Sequence, residues 1–245
     1  MTQARRLTGG LIERQRPLNF EFDGKSFTGY PGDTLASALL ANGVQLMGRS
    51  FKYHRPRGPF TSGSEEPNAI VELREGARKE PNTRATTIEL YDDLIAKSQN
   101  RWPSLGFDMM AVNDLCSNFL TAGFYYKTFM WPAAFWETLY EPIIRYAAGL
   151  GSASLEADPD CYDKGFLHCD LLVIGGGPAG LVAALVAGRS GLDVILADED
   201  FLIGGRLNHE SFSIDDQAGS AFAASTYEEL TGLPNVRIMT RTTVI

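Results

Sequence analysis

The residues best suited to chemistry in this chain lie in one short stretch. Asp170-Leu171-Leu172-Val173-Ile174 runs directly into Gly175-Gly176-Gly177-Pro178-Ala179-Gly180. An apolar strand followed by G-x-G-x-x-G is a place for a pyrophosphate. Gly175 permits the tight turn, Gly177 lets backbone approach the anion, and Gly180 lets the next helix pack on the strand. Leu181–Arg189 reads as that helix, its N-terminal N–H groups and dipole facing the anion. Ala179 is expected on the adenine side of the turn. Asp193–Ala197 reads as a second buried strand ending at Asp198, 18 positions past Gly180. A carboxylate there accepts both hydroxyls of an adenosine ribose and disfavours a 2′-phosphate, so NAD or FAD is expected over NADP. Glu199 and Asp200 read as solvated charges or as members of the ribose rim. Gly204-Gly205-Arg206-Leu207 reads as an ordinary loop or as one closing over the adenosine side, with Arg206 near enough to meet a phosphate. Val244 or Ile245 is expected to touch adenine through its backbone.

Such residues need a parallel α/β frame around them. Residues 166–245 supply its beginning, with β-like segments at Val236–Met239 and Thr243–Ile245. A dinucleotide domain usually has further strands, so the expectation is an N-terminal fragment of a longer protein. Residues 1–100 read as a small α/β unit. Leu18, Phe20 and Phe22 alternate with polar residues, and Asp23-Gly24 turns the chain into Ser26–Tyr30, a hairpin. Asp33 is expected to cap a helix over Thr34–Asn42 that Gly43 ends. With a later strand at Ala69–Leu73, the pattern is a β-grasp. Residues 101–165 read as a helical, aromatic-rich linker, with helices over Asp108–Phe119 and Ala133–Ala148. The run Phe124–Pro132 between them reads as packed core, or as a surface for a partner subunit or flat cofactor.

Composition narrows the classes. Among 245 residues, 22 Lys and Arg stand against 30 Asp and Glu, a net charge of −8. That argues against a nucleic-acid binder. Residues 1–60 hold nine basic and four acidic side chains, so they carry +5 and the remainder −13. The basic run Arg49, Lys52, His54, Arg55, Arg57 reads as a solvated loop, a partner for the acidic remainder, or a contact to a subunit or anionic cofactor. Cys116, Cys161 and Cys169, without CxxC spacing, exclude a disulfide framework and a four-cysteine metal site. They read as buried or incidental thiols, and His168 and His209 lack any metal-ligand pattern. The uncharged run Leu171–Gly188 reaches 18 residues, yet its five glycines and proline suit strand, turn and helix rather than a membrane span. With no signal peptide visible, the expected place is the cytosol.

On these residues the sequence resembles the alpha subunits of heterotetrameric sarcosine oxidases. Gly29–Leu40, Gly48–Gly58, Asn100–Leu105, Ala122–Pro132 and Asp170–Gly180 carry the resemblance. It implies an α/β chain: an N-terminal degenerate 2Fe-2S ferredoxin-like (β-grasp) module at 1–100, a helical linker at 101–165, and an incomplete Rossmann-type FAD/NAD(P)-binding domain at 166–245. It further implies demethylation of sarcosine to glycine, with oxygen becoming hydrogen peroxide and the one-carbon unit passing to tetrahydrofolate. NAD is implied on this chain, with FAD and FMN mainly on or with the beta subunit. Beta, gamma and delta subunits are the implied partners, sarcosine and tetrahydrofolate bind elsewhere in the complex, and no catalytic residue falls here. Neither nucleic acid nor membrane is expected as a partner. The N-terminal module looks like a plant-type ferredoxin, whose C-x4-C-x2-C pattern laid on Pro59–Val71 gives ligand positions Thr61, Glu66 and Ala69, with the fourth near Thr86. No thiolate stands at any of them, so the expectation is a chain without an iron–sulfur cluster. Two alternatives remain open: an electron-transfer subunit of an amine, proline or opine dehydrogenase, and a non-catalytic scaffold holding a structural nucleotide.

Overall fold

The alternation of Leu18, Phe20 and Phe22 becomes the inner face of β1 (Leu18–Phe22), with all three side chains buried. In the computed structural model, which describes residues 3–245 except 116, 119–122, 124–130, 148, 212 and 215, Asp23 and Gly24 both take left-handed φ, 49° and 75°. This two-residue turn matches the twist of a hairpin, and β2 (Lys25–Gly29) returns with Leu18 opposite Gly29. Helix α1 (Leu35–Ala41) follows, and its cap is Thr34 rather than the expected Asp33. Thr34 and Ser37 exchange bonds in a capping box, each side-chain oxygen accepting from the other's backbone N–H. Asp33 is drawn elsewhere. Fully buried, it accepts a two-pronged ion pair from Arg6 at 3.0 and 2.7 Å, the Tyr30 N–H and the Ser37 hydroxyl.

A small hairpin, β3 (Gly48–Arg49) with β4 (Pro56–Arg57), stands apart from the main sheet. That sheet is completed by β5 (Ile70–Leu73), β6 (Glu80–Arg84) and β7 (Leu94–Ser98), in the order β2-β1-β7-β5-β6. β7 runs parallel to β1 and antiparallel to β5. Leu35 and Leu39 of α1 pack on Phe20, Val71, Leu73, Leu94 and Ala96 to form the core. Burying each such leucine contributes roughly 1.5–3 kcal/mol.

The linker departs from its expected helices. Among the described residues of Asp108–Phe119 the one helical element is a 3₁₀ turn, Met109–Asp114, with the Asp108 carboxylate accepting the Met110 N–H. Ala133–Ala148 divides into a 3₁₀ turn (Ala133–Phe135), a π turn (Trp136–Tyr140) and α2 (Glu141–Ala147). Pro142 explains the break, because it has no N–H to carry the α ladder back into the preceding turn. Most of the aromatic run Phe124–Pro132 lies outside the described residues.

Met1–Asp160 forms one unit and Cys161–Ile245 another. The second contains β8 (Leu171–Ile174), α3 (Pro178–Arg189), β9 (Val194–Ala197), the short hairpin β10 (Ser213–Ile214) and β11 (Gln217–Ala218), α4 (Gly219–Gly232) and β12 (Val236–Met239). The strands make a parallel sheet in the order β12-β9-β8. Leu181 and Ala184 of α3 and Ala223 and Leu230 of α4 close its core with Val194 and Leu196. Thr243–Ile245 is not a strand. The chain turns at Arg241, φ 53°, and leaves the sheet after Met239. Among the described residues no helix is long and apolar enough to cross a membrane.

Candidate functional site

The glycine turn sits where β8 ends and α3 begins. Gly177 is the N-cap of α3 and gives no side-chain bond to its first turn, while Pro178 fills the first helical position, where its missing N–H does no harm. Gly180 is required by close approach: a Cβ there would fall 1.8 Å from the Gly175 carbonyl oxygen. The helix therefore lies against the strand end more closely than any side chain allows. The Gly204-Gly205 turn packs on the same place. Gly204 N–H donates to the Gly176 carbonyl at 2.9 Å, and a Cβ on Gly205 would stand 3.2 Å from Gly177 Cα.

Asp198 follows β9 and turns back onto the glycines. One carboxylate oxygen accepts the Gly176 N–H, and the other accepts the Asp200 N–H at 2.8 Å. The chain after β12 is tied over this turn, with Thr242 N–H donating to the Asp198 carbonyl at 2.8 Å and Arg241 N–H to that of Asp200 at 3.0 Å. The result is a groove of about 360 Å³ lined by Gly175, Asp198, Glu199, Asp200, Thr243 and Val244. Burial raises the Asp200 carboxyl above its ordinary pKa, and the neighbouring Asp198 and Glu199 charges add to the rise against a smaller opposing effect of His209.

The structure thus brings Gly175, Asp198, Glu199, Asp200 and Val244 to one groove and sets Gly176, Gly177, Gly180 and Gly205 around its glycine turn. Ala179 is exposed on the first turn of α3. Arg206 is exposed too, and its guanidinium is held by Glu210 at 2.5 Å, one helical turn on. Thr242 and Thr243 are residues that sequence reasoning missed. Their signal is weak, since adjacent threonines after a strand are common.

A second constellation lies in the first unit. The four positions matched to a ferredoxin ligand pattern come together around Glu66. Its carboxylate accepts the N–H groups of Phe60 and Thr61 at 2.6 Å, Asn68 at 2.7 Å and Ala69 at 3.1 Å. Thr86 closes the same loop, its hydroxyl donating to the Gly63 carbonyl at 2.8 Å. The basic run divides in two. Arg49 and His54 turn inward, His54 Nδ1 lying 2.7 Å from the buried Asp108 carboxylate and Arg49 Nε 4.0 Å from it. Lys52 and Arg55 lie over the Tyr53 ring at 5.1 and 4.8 Å, and Arg55 pairs with Asp114 at 2.7 Å. Cys161 and Cys169 are exposed rather than buried, because the stretch before β8 has no helix or strand to cover them. Cys116 lies outside the described residues. Among the described residues no group of three His, Cys, Asp or Glu side chains is placed to hold a metal ion.

Comparison with known proteins puts both constellations in context. Residues 15–101 match the family described as 2Fe-2S iron-sulfur cluster binding domain, and residues 170–233 match FAD dependent oxidoreductase. The sequence is 63% identical, over 96% of this chain, to sarcosine oxidase subunit alpha of Rhizobium meliloti (strain 1021), of which it covers 24%. It is 33% identical, over 98% of this chain, to sarcosine oxidase subunit alpha of Corynebacterium sp. (strain U-96), of which it covers 20%. The chain therefore spans about a quarter or less of the length of these relatives. In fold it is similar to L-proline dehydrogenase from P. horikoshii, with a TM-score of 0.51 over 94% of this chain and 34% of that one, at 20% identity. The fold is thus α/β, a ferredoxin-like module followed through the linker by a Rossmann-type dinucleotide fold.

These matches correct the cofactor expectations. The absence of an iron–sulfur cluster is overturned by the match of residues 15–101 to a cluster-binding family. That expectation rested on four missing thiolates, whereas the match spans residues 15–101, the whole β-grasp frame. The donors present at Glu66 are one carboxylate, hydroxyls and amides, which do not fit the thiolate ligation of a plant-type cluster. For the nucleotide, the description of the family matched by residues 170–233 names FAD, where NAD was expected on this chain, and does not test NAD. Over nearly its whole length, the chain is similar to part of a sarcosine oxidase alpha subunit.

Proposed function

We propose that this chain is the cofactor-binding part of the alpha subunit of a sarcosine oxidase, an oxidoreductase acting on the C–N bond of a secondary amine. In that complex sarcosine is demethylated to glycine, its two electrons reduce oxygen to hydrogen peroxide, and the one-carbon unit passes to tetrahydrofolate. The amine-oxidising groups belong to other parts of the complex, with beta, gamma and delta subunits as partners and the cytoplasm as its place. The 63% identity to a sarcosine oxidase alpha subunit supports this reading over an amine dehydrogenase electron-transfer subunit or an inert scaffold.

The role of residues 166–245 is to hold the ADP half of a dinucleotide, with FAD the cofactor that the matched family's description names. The groove at the ends of β8 and β9 carries this proposal. Gly175–Gly180 and the first turn of α3 would take the pyrophosphate, with Pro178 and Ala179 in that turn. Asp198 would accept the ribose hydroxyls, with Glu199 and Asp200 at the rim. Each Asp198 oxygen has a second lone pair beyond the one given to a backbone N–H. Val244 would meet adenine through its backbone, and the Gly205–Arg206 turn would close the pyrophosphate side. Residues 1–100 and 101–165 would serve as the ferredoxin-like module and the linker of the same subunit. The dinucleotide itself supplies the hydride chemistry when bound; this chain's residues bind and orient it.

The test is to purify the full-length protein, denature it and identify the released nucleotide chromatographically, alongside peroxide formation with sarcosine. One ADP-containing dinucleotide on this subunit and sarcosine-dependent peroxide are expected. A subunit carrying no nucleotide would refute the binding role, and nucleotide without peroxide would refute the oxidase.

A further inference from the structure

Glu66 is the only carboxylate among the described residues found fully buried with four backbone N–H groups of its own loop converging on it. Its two oxygens divide the work. Oε2 takes Phe60 and Thr61 N–H, with the Thr61 hydroxyl at 3.3 Å, while Oε1 takes Asn68 and Ala69 N–H. The donors therefore come from two stretches of chain on either side of the loop, and the carboxylate is what joins them. None of these four residues belongs to a helix or strand, so no ladder would hold their N–H groups otherwise.

The charge is met by neutral dipoles. No ion pair to Glu66 is among those of the described residues, and the nearest guanidinium bond, from Arg84, goes to its backbone carbonyl at 3.1 Å. Burial pushes the Glu66 carboxyl towards protonation, yet the amides of Thr61, Asn68, Phe60 and Ala69 together outweigh it and keep the pKa below the ordinary value. A concave set of N–H groups able to do this is an anion receptor in its own right.

We propose that the Phe60–Ala69 loop is a carboxylate-binding site whose ligand is supplied from within by Glu66, and that the empty receptor takes a small free carboxylate when that side chain is removed. Shape and charge are both needed. A glutamine in place of Glu66 offers one acceptor oxygen and turns an NH₂ group towards two of the N–H donors. It therefore cannot fill the receptor, although it nearly matches the size of glutamate.

Hydrogen exchange of the full-length protein tests this, read on the peptide spanning residues 60–69 by mass spectrometry. In the wild type the amides of Phe60, Thr61, Asn68 and Ala69 are protected although they lie outside regular structure; free exchange there would overturn the proposal. Glu66→Gly exchanges at least about tenfold faster, the factor that corresponds to about 1.4 kcal/mol. Sodium formate restores protection to Glu66→Gly, sodium chloride at equal ionic strength does not, and formate does nothing for Glu66→Gln. Unchanged exchange in Glu66→Gly, or equal rescue by both salts, would refute the receptor. Should Glu66→Gly fail to fold, Glu66→Asp decides. Its shorter arm reaches one pair of donors, so residues 60–61 and 68–69 exchange at different rates, and loss or retention of both pairs together counts against the proposal.

Discussion

Glu66 and Asp198 both rest on backbone N–H groups, and they rest on them differently. Glu66 spends all its acceptor capacity inward, on four amides of its own loop, and no part of it reaches solvent. Asp198 accepts one N–H on each oxygen, from Gly176 and Asp200, and lines an open groove. The first arrangement is closed and can only hold the chain together. The second fixes the carboxylate's direction while leaving acceptor capacity for a ligand's hydroxyls. The number of internal donors thus separates a structural anion from a binding one, though both residues are acids held by loop amides.

That contrast can be broken by substitution. The largest expected effect is on stability, from Glu66→Ala. Four backbone N–H groups lose their acceptor, and urea denaturation should show a loss of roughly 3 kcal/mol in the transition of the first unit. Next comes Gly180→Ala, which puts a methyl group 1.8 Å from the Gly175 carbonyl oxygen. It should destabilise the second unit by roughly 2 kcal/mol and abolish dinucleotide binding, as read by nucleotide content after purification. Asp198→Ala should weaken binding about tenfold to a hundredfold, ~1.5–3 kcal/mol for bonds to a charged acceptor, with little change in the melting of the nucleotide-free protein. Arg206→Ala should have the smallest effect, below about threefold in affinity, because its guanidinium is exposed and already engaged by Glu210.

Acidity sharpens the same contrast, since the two sites respond to pH with opposite sign. Glu66 has a folded pKa below its unfolded value, so its stabilisation is present above the unfolded value and is lost as pH falls through the folded one. Asp200, beside Asp198, has a folded pKa above its unfolded value. Its contribution is present below the unfolded value and is lost as pH rises through the folded one. Melting temperatures between about pH 3 and pH 7 should therefore fall towards acid less in Glu66→Gln than in the wild type. In Asp200→Asn the decline towards neutral pH should disappear.

What could be read from the sequence was local. The hairpin at Leu18–Gly29 is carried by strict alternation and an Asp-Gly turn, and the dinucleotide turn by a strand, spaced glycines and a helix in succession. β7 escaped although it lies at the centre of its sheet, because Leu94-Ile95-Ala96-Lys97-Ser98 is short and its pairing with β1 is long-range. β6 holds Pro81 and an Asn82 at φ 60°, residues that signal a turn. The cap moved from Asp33 to Thr34 because a distant residue, Arg6, claims the Asp33 carboxylate. At the candidate site, Gly175 and Asp198 were legible from spacing, whereas Thr242 and Thr243 reach the groove only because the chain turns back after β12. Glu66 has no periodic or spacing signal. Only the likeness to a ferredoxin loop set it beside Thr61 and Ala69, whose N–H groups it accepts, and Thr86, which bonds Gly63 of the same loop.

The central claim is that the groove beside Asp198 holds the ADP half of a dinucleotide. The most direct test is the amount of dinucleotide retained per alpha subunit by the purified full-length protein, wild type against Asp198→Ala. The wild type should retain about one equivalent of the whole cofactor at this site, and the variant should retain far less while its nucleotide-free form melts as the wild type does. Equal retention by the two proteins would contradict the claim and leave the glycine turn of β8 without a ligand of this kind.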